Sequence, residues 1–170
     1  MLRHENFIKS PAPFRKEYTG RNSAPLFRKT FTVDAIENAK LYVCGLGYGY
    51  YYINGKSVTE DLLSVPVSDY NKTLWYCVYD VSSLLQKGGN VICAELGNGW
   101  FNEEIRNVFH QAVWRDNPKF VLSLQIDGTE IVKTDTTWKC RSESATYFNQ
   151  LRSGEYFSAP DYDPDRKSVV

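Results

Sequence analysis

Trp100 stands in the segment LGNGWFNEE, with Asn98, Asn102 and Glu103 close by in sequence. An indole packs on the apolar C–H face of a sugar ring, and amides or a carboxylate beside it can hold the hydroxyl edge. A Trp of this kind can also plug the end of a β-sandwich, with Asn98-Gly99 simply making a turn. A second aromatic-polar group is Asp69-Tyr70-Asn71. Asp69 can accept from sugar hydroxyls, supply oxygen to calcium, or close an Asx turn. The candidate carbohydrate contacts are therefore Asn98, Trp100, Asn102, Glu103, Asp69 and Tyr70. Tyr48, Tyr50 and Tyr52 alternate, so they share one face of a strand. Such a row suits a stacking platform or, better, packing against another domain.

Other chemistry has thinner support. Glu103 could be paired with Glu95 or Glu155 as a general acid and base, but a glycosidase needs its carboxylates roughly 5–9.5 Å apart, which sequence does not supply. The histidines, His4 and His110, are far apart in the chain, and no GxSxG nucleophile motif accompanies either. Cys44, Cys77, Cys93 and Cys140 form no CxxC or Cys/His cluster of the kind that holds zinc. Cys44, Cys77 and Cys93 fall inside apolar strand patterns and read as buried free thiols, with one inter-sheet disulfide as the alternative. No metal ligand set is assigned. No cofactor is expected, and calcium rests on Asp69 alone.

The elements that must position these residues are short strands. Leu26 to Val33 alternates as a first core strand. Ala39 to Leu46 and Tyr48 to Ile53 read as a strand pair, and Asn54-Gly55 is the strongest two-residue hairpin signal. Residues 74–79 read as a strand with Trp75 and Tyr79 in the core. Residues 87–90 read as a turn and 91–96 as a strand. Residues 97–118 form a long polar and aromatic loop, a length that usually carries function. A strand at 120–126 turns at Asp127-Gly128 into Thr129 to Lys133, and 134–138 continues the sheet pattern. Weaker strands are expected at 146–151 and 155–157. The helix signal is confined to 80–85. The fold class is all-β: a jelly-roll-like antiparallel β-sandwich with at most one or two short helical turns. Residues 1–24 read as an irregular arm, 25–160 as the sandwich domain, and 161–170 as a loose charged tail.

The 170 residues include 20 basic and 20 acidic side chains, for zero formal net charge. Such a balance lacks the electrostatic footprint of a nucleic-acid binder. No apolar run approaches the ~20 residues that span a bilayer. The opening MLRHENFIKSP has no apolar signal-peptide core, so the expectation is a cytoplasmic protein, or an exported one whose leader is not in this chain.

The order of segments resembles the β-sandwich domain that precedes the catalytic barrel of bacterial alpha-L-rhamnosidases. Residues 24–33, APLFRKTFTV, are similar to that domain's opening strand. Residues 39–58, AKLYVCGLGYGYYYINGKSV, resemble its LYVxxLGxYxxYINGxxV stretch. Residues 63–85 resemble LxPxxxDYxKxLxYxxYDVxxLL, and 87–101, KGGNVICAELGNGWF, resemble xGxNxxxxxLGxGW. TDTTW at 134–138 and SGEYFSA at 153–159 are similar to the later TDxxW and GExYDA segments. Tyr-x-Asn-Gly turns also occur in the sandwiches of beta-galactosidase-like enzymes. The chain departs from the pattern at Tyr50, where many relatives carry Glu, at Asn98, where they carry an acid, and at Ser158, where they carry Asp.

The resemblance implies a non-catalytic accessory domain that binds rhamnose-containing glycan or packs on a catalytic (α/α) barrel lying further along the parent protein. A purely structural interaction domain is the alternative, and a stand-alone glycosidase the remote one.

Overall fold

The computed structural model describes residues 2–14, 23–62, 64–103, 112–142, 144–150 and 154–157, with backbone alone at 147–150 and 154–157. Two antiparallel sheets face each other. The first contains β1 (Ile8–Lys9), β3 (Ala39–Leu46), β6 (Cys77–Asp80), β8 (Lys119–Ile126) and β9 (Thr129–Lys133). Its order is β1-β8-β3-β6, and β9 also pairs with β8. The second runs β10-β2-β7-β4-β5. Its members are β2 (Leu26–Val33), β4 (Tyr48–Ile53), β5 (Lys56–Ser57), β7 (Gly88–Gly97) and β10 (Lys139–Arg141). A separate ribbon joins β11 (Thr146–Gln150) to β12 (Gly154–Phe157). The expected all-β sandwich is what the sequence forms.

Alternation builds the core. Leu41 and Val43 from β3 and Leu122 and Leu124 from β8 turn inward. They meet Phe27, Ile92, Leu96, Tyr51 and Ile53 from the opposite sheet. Phe120 is the aromatic hub, with ring centroids 5.2 Å from Phe27, 5.5 Å from Trp138 and 6.1 Å from Tyr51. Trp138 closes this end, and its indole N–H donates to the Lys133 carbonyl at 2.9 Å.

Both two-residue turns form as read. Asn54 and Gly55 have φ of 52° and 78°, and Asp127 and Gly128 have 47° and 79°. These are the positive pairs a type I′ hairpin needs. The helix signal at 80–85 resolves to a 3-10 turn at Ser82–Leu84, with a second such turn at His4–Asn6. Asp80 accepts the Ser82 N–H at 3.0 Å. That bond and the Ser82 side chain hold the Asp80 carboxyl below its ordinary range.

Several readings need correction. β3 and β4 are not a pair: β3 lies in the first sheet and β4 in the second. One residue, Gly47, separates them, too few for a hairpin, and at φ 105° it turns the chain from one sheet into the other. The strand read at 74–79 begins only at Cys77, and Trp75 is 58% exposed rather than core. Residues 88–90 belong to β7 rather than to a turn, because β2 is long enough to pair with them from Phe31 to Val33. Residues 134–138 leave the sheet, and β10 starts at Lys139. Within the amino-terminal arm, Ile8 and Lys9 pair with Phe120 and Lys119. The cysteines are free thiols, as read; Cys44 and Cys93 are buried as expected, while Cys77 is only half-buried and Cys140 is exposed. Burial pushes the Cys44 and Cys93 thiols up to about 11. The 161–170 tail lies outside the described residues.

Candidate functional site

Glycines shape the end of the sandwich where the candidate residues gather. The β3–β4 corner at Gly47 packs directly on the backbone after β7. A Cβ at Gly47 would meet the Gly97 carbonyl oxygen, and one at Gly99 would lie 3.3 Å from the Gly47 and Tyr48 backbone. A Cβ at Gly97 would fall inside the Tyr48 ring. So the Gly47-Tyr48 backbone and the GNG at 97–99 are two halves of one backbone-to-backbone contact. That contact sends the chain from β7 into the loop 98–103.

The loop does not display all its polar groups. Asn98 and Asn102 are 1% exposed and Glu103 is fully buried. The Asn102 backbone N–H donates to the Asn98 carbonyl at 3.1 Å, and its side-chain amide donates to Asn98 Oδ1 at 2.8 Å. Arg115 then donates to Asn102 Oδ1 from Nε and Nη2, at 3.3 and 3.2 Å. These groups form an internal frame, as buried polar groups must. Phe101 is also buried, whereas Trp100 is half-buried and is the residue of this loop with surface to offer.

The second candidate loop closes on itself. Asp69 Oδ1 accepts the Asn71 N–H at 3.2 Å, and the Asp69 carbonyl accepts from Lys72 and Thr73 at 2.9 Å. This is the Asx turn that the residue types suggest. Asp69 stays exposed, with its other oxygen 3.9 Å from Lys72 Nζ.

Tyr70 joins the two loops. Its ring centroid lies 5.2 Å from Phe101, edge to face, and 5.9 Å from Trp114. Burial pushes its hydroxyl up to about 12, despite a bond with the Ser68 backbone, so it remains a donor across physiological pH. The structure thus brings Asp69 and Tyr70 to the same end as Asn98, Trp100, Asn102 and Glu103. Residues 104–111, which include His110, lie outside the described residues.

Sequence reading missed Arg115, Trp114 and Lys119. Lys119 Nζ sits 5.4 Å over the Phe101 ring and 3.3 Å from Asp116. Asp116 also holds Lys9 at 2.7 Å, which ties the amino-terminal arm to this end. Asp116 is part-buried, which pushes its carboxyl toward a higher pKa, but hydrogen bonds from Lys9, the Asn117 N–H and Lys119 outweigh this and leave it below the usual 3.8. The signal available was weak: an Arg and a Trp in a long loop.

The tyrosine row lies on the outer face of the second sheet. Tyr48 is buried over Gly97, while Tyr50 and Tyr52 are half-buried opposite Glu95 and Cys93. Of the carboxylates weighed for acid–base work, Glu95 is half-buried on that outer face and Glu103 is enclosed in the loop frame; the Glu155 side chain lies outside the described residues. Among the described residues, no three His, Cys, Asp or Glu side chains gather as a cation site requires.

A family model described as "Alpha-L-rhamnosidase N-terminal domain" matches residues 34–168. An alpha-L-rhamnosidase of Formosa agariphila is 30% identical over 171 aligned positions, covering 86% of this chain and 17% of that protein. Among solved structures, the native alpha-L-rhamnosidase of Aspergillus terreus superposes with a TM-score of 0.76 at 26% identity, covering 89% of this chain and 18% of that one. The Streptomyces avermitilis alpha-L-rhamnosidase complexed with L-rhamnose gives 0.70 at 28%, covering 83% and 14%. The chain spans 12–17% of the length of the curated relatives it matches.

Proposed function

The chain belongs to the alpha-L-rhamnosidase N-terminal domain family, and we propose that it serves an alpha-L-rhamnosidase-like glycoside hydrolase as a non-catalytic domain that holds rhamnose-containing glycan. The observation that carries this reading is the Tyr70–Phe101 ring contact at 5.2 Å. It sets two loops far apart in sequence side by side, with half-buried Trp100 and exposed Asp69 at their surface. A sugar site needs an apolar platform and a few fixed polar groups. Trp100 supplies the first, and Asp69 and the Tyr70 hydroxyl supply the second. Asn98 and Asn102 act from behind, by fixing the loop that carries the indole, and Glu103 is buried beneath it. Hydrolysis is assigned to residues of the parent enzyme outside this chain.

Calorimetric titration with L-rhamnose tests the reading. Trp100→Ala should weaken binding at least about tenfold, as loss of a central aromatic anchor does, with the melting temperature nearly unchanged. If the variant unfolds, the indole is a core plug. If a folded variant binds as before, Trp100 is not the platform.

A second reading, docking against another domain of the parent protein, draws on exposed apolar side chains: Val113 at 90% and Leu62 at 80% exposure. Flat rhamnose titrations of the wild-type chain would favour it.

A further inference from the structure

We infer that the sugar site extends along the outer face of the first sheet as a track for a neutral glycan chain, a reading that rests on the loop site and names its ligand as polymeric. Outward-facing residues of β3, β6 and β8 stand in rows set by the register. Asp80, Lys40 and Gln125 make one row, and Val78 and Tyr42 begin the next, which ends at Ser123, a buried side chain bonded to Glu130. Their neighbours Leu41 and Val43 point into the core, which fixes the alternation. Asn38, Lys40, Tyr42, Gln125 and Asp127 line an open groove of about 390 Å³, within the roughly 300–1,000 Å³ typical of ligand sites. Asn38 Nδ2 donates to Asp127 Oδ1 at 2.9 Å and braces its rim.

Aromatics lead from the loop site to this groove. The chain leaves the Asp69 turn, the Trp75 N–H donates to Ser68 Oγ at 3.0 Å, and Trp75 and Tyr76 follow. They are 58% and 57% exposed, an unusual concentration of apolar surface just before a short edge strand. Tyr76 lies 6.5 Å from Tyr42 between ring centroids, so the line of rings reaches the groove. From Tyr42 to the Gly47 corner beside the loop site is five residues of β3 and its exit, ~17 Å at ~3.3 Å per residue. That span exceeds a single sugar ring.

The lining chemistry selects a neutral chain. Lys40 faces Asp80 in register and Asp127 adds a second carboxylate, so the surface carries no excess of positive charge to hold an anionic glycan. Lys40, Gln125 and Asp127 together offer donors and acceptors, as hydroxyls require. A stretch of exposed rings flanked by such groups fits a glycan laid across it better than an apolar protein face.

The test is calorimetric titration of the full chain with L-rhamnose and with a linear rhamnose hexasaccharide. The hexasaccharide should bind at least about tenfold tighter. Trp75→Ala combined with Tyr76→Ala should abolish that gain and leave L-rhamnose affinity unchanged. Both side chains are more than half exposed, so folding should survive, which an unchanged melting temperature would verify. A hexasaccharide no tighter than the monosaccharide, or a gain that persists in the double variant, would overturn the track. L-rhamnose binding that depends on Trp100 while the gain is absent would leave the loop site standing alone. A hexasaccharide that binds through Trp75 and Tyr76 while L-rhamnose does not bind would support the track and overturn the loop site. Binding of neither sugar overturns both.

Discussion

The loops 98–103 and 69–73 carry the same kinds of residue and meet at one ring contact, but they spend their polar groups differently. In the first, Asn98 and Asn102 turn inward and join Arg115 in a buried chain of hydrogen bonds. In the second, the Asp69 carboxylate bonds locally to Asn71 and stays exposed. The first loop leaves β7 through a contact between glycine backbones, too close for water, so its amides must find protein partners. The second is a surface turn, where solvent satisfies whatever the turn does not. Residue type alone does not separate a frame from a ligand contact; burial does.

The largest expected effect tests the frame. Gly97→Ala places a methyl inside the Tyr48 ring, and overpacking of this kind costs about 1–3 kcal/mol or more. Urea unfolding should show the loss, with the upper end expected because Tyr48 is only 4% exposed. A change near zero would mean that the corner is loosely packed.

Asn102→Ala should follow, at about 1–3 kcal/mol, because Arg115 and the Asn98 side chain lose their buried partner. The same measurement on Asp69→Ala should show no more than about 1 kcal/mol, since one exposed turn bond is lost. The contrast between them is the point: Asn102 should move stability, and Asp69 should move rhamnose affinity with little change in unfolding. Equal stability losses would erase the distinction between the loops.

The smallest effect concerns pH. The Asp116 carboxyl titrates below 3.8 in the folded chain because Lys9, the Asn117 N–H and Lys119 hold its anion. Its stabilisation is therefore complete above the unfolded value and is lost as pH falls through the lower folded value. Asp116→Asn should flatten part of the acid limb of a stability–pH curve, by well under the cost of Asn102→Ala because the pair is partly solvated. An unchanged acid limb would show that the Lys9 and Lys119 contacts add nothing.

Local chemistry made much of the fold legible. Asn54-Gly55 and Asp127-Gly128 fixed two hairpins because few residues accept positive φ twice in succession. Alternation marked β2 and the tyrosine row of β4, whereas β3 and β8 read as short apolar runs because both of their faces are largely buried. The split of β3 and β4 between sheets was not legible, since both read as strands and only the tertiary contact at Gly47 decides their partners. Trp75 was assigned to the core because it was read on one face of a strand with Tyr79, yet the strand begins only at Cys77 and Trp75 is more than half exposed.

For the site, the sequence by itself supplied the residue types: an indole, amides, carboxylates and tyrosines clustered in two loops. Only the tertiary structure decided that Tyr70 meets Phe101, that Asn98, Asn102 and Glu103 are enclosed, and that Trp100 keeps a surface. The reason is physical. Turn and strand preferences act over a few neighbouring residues, whereas burial depends on which distant backbone closes over a side chain, here the Gly47 corner packed against the backbone of 97–99.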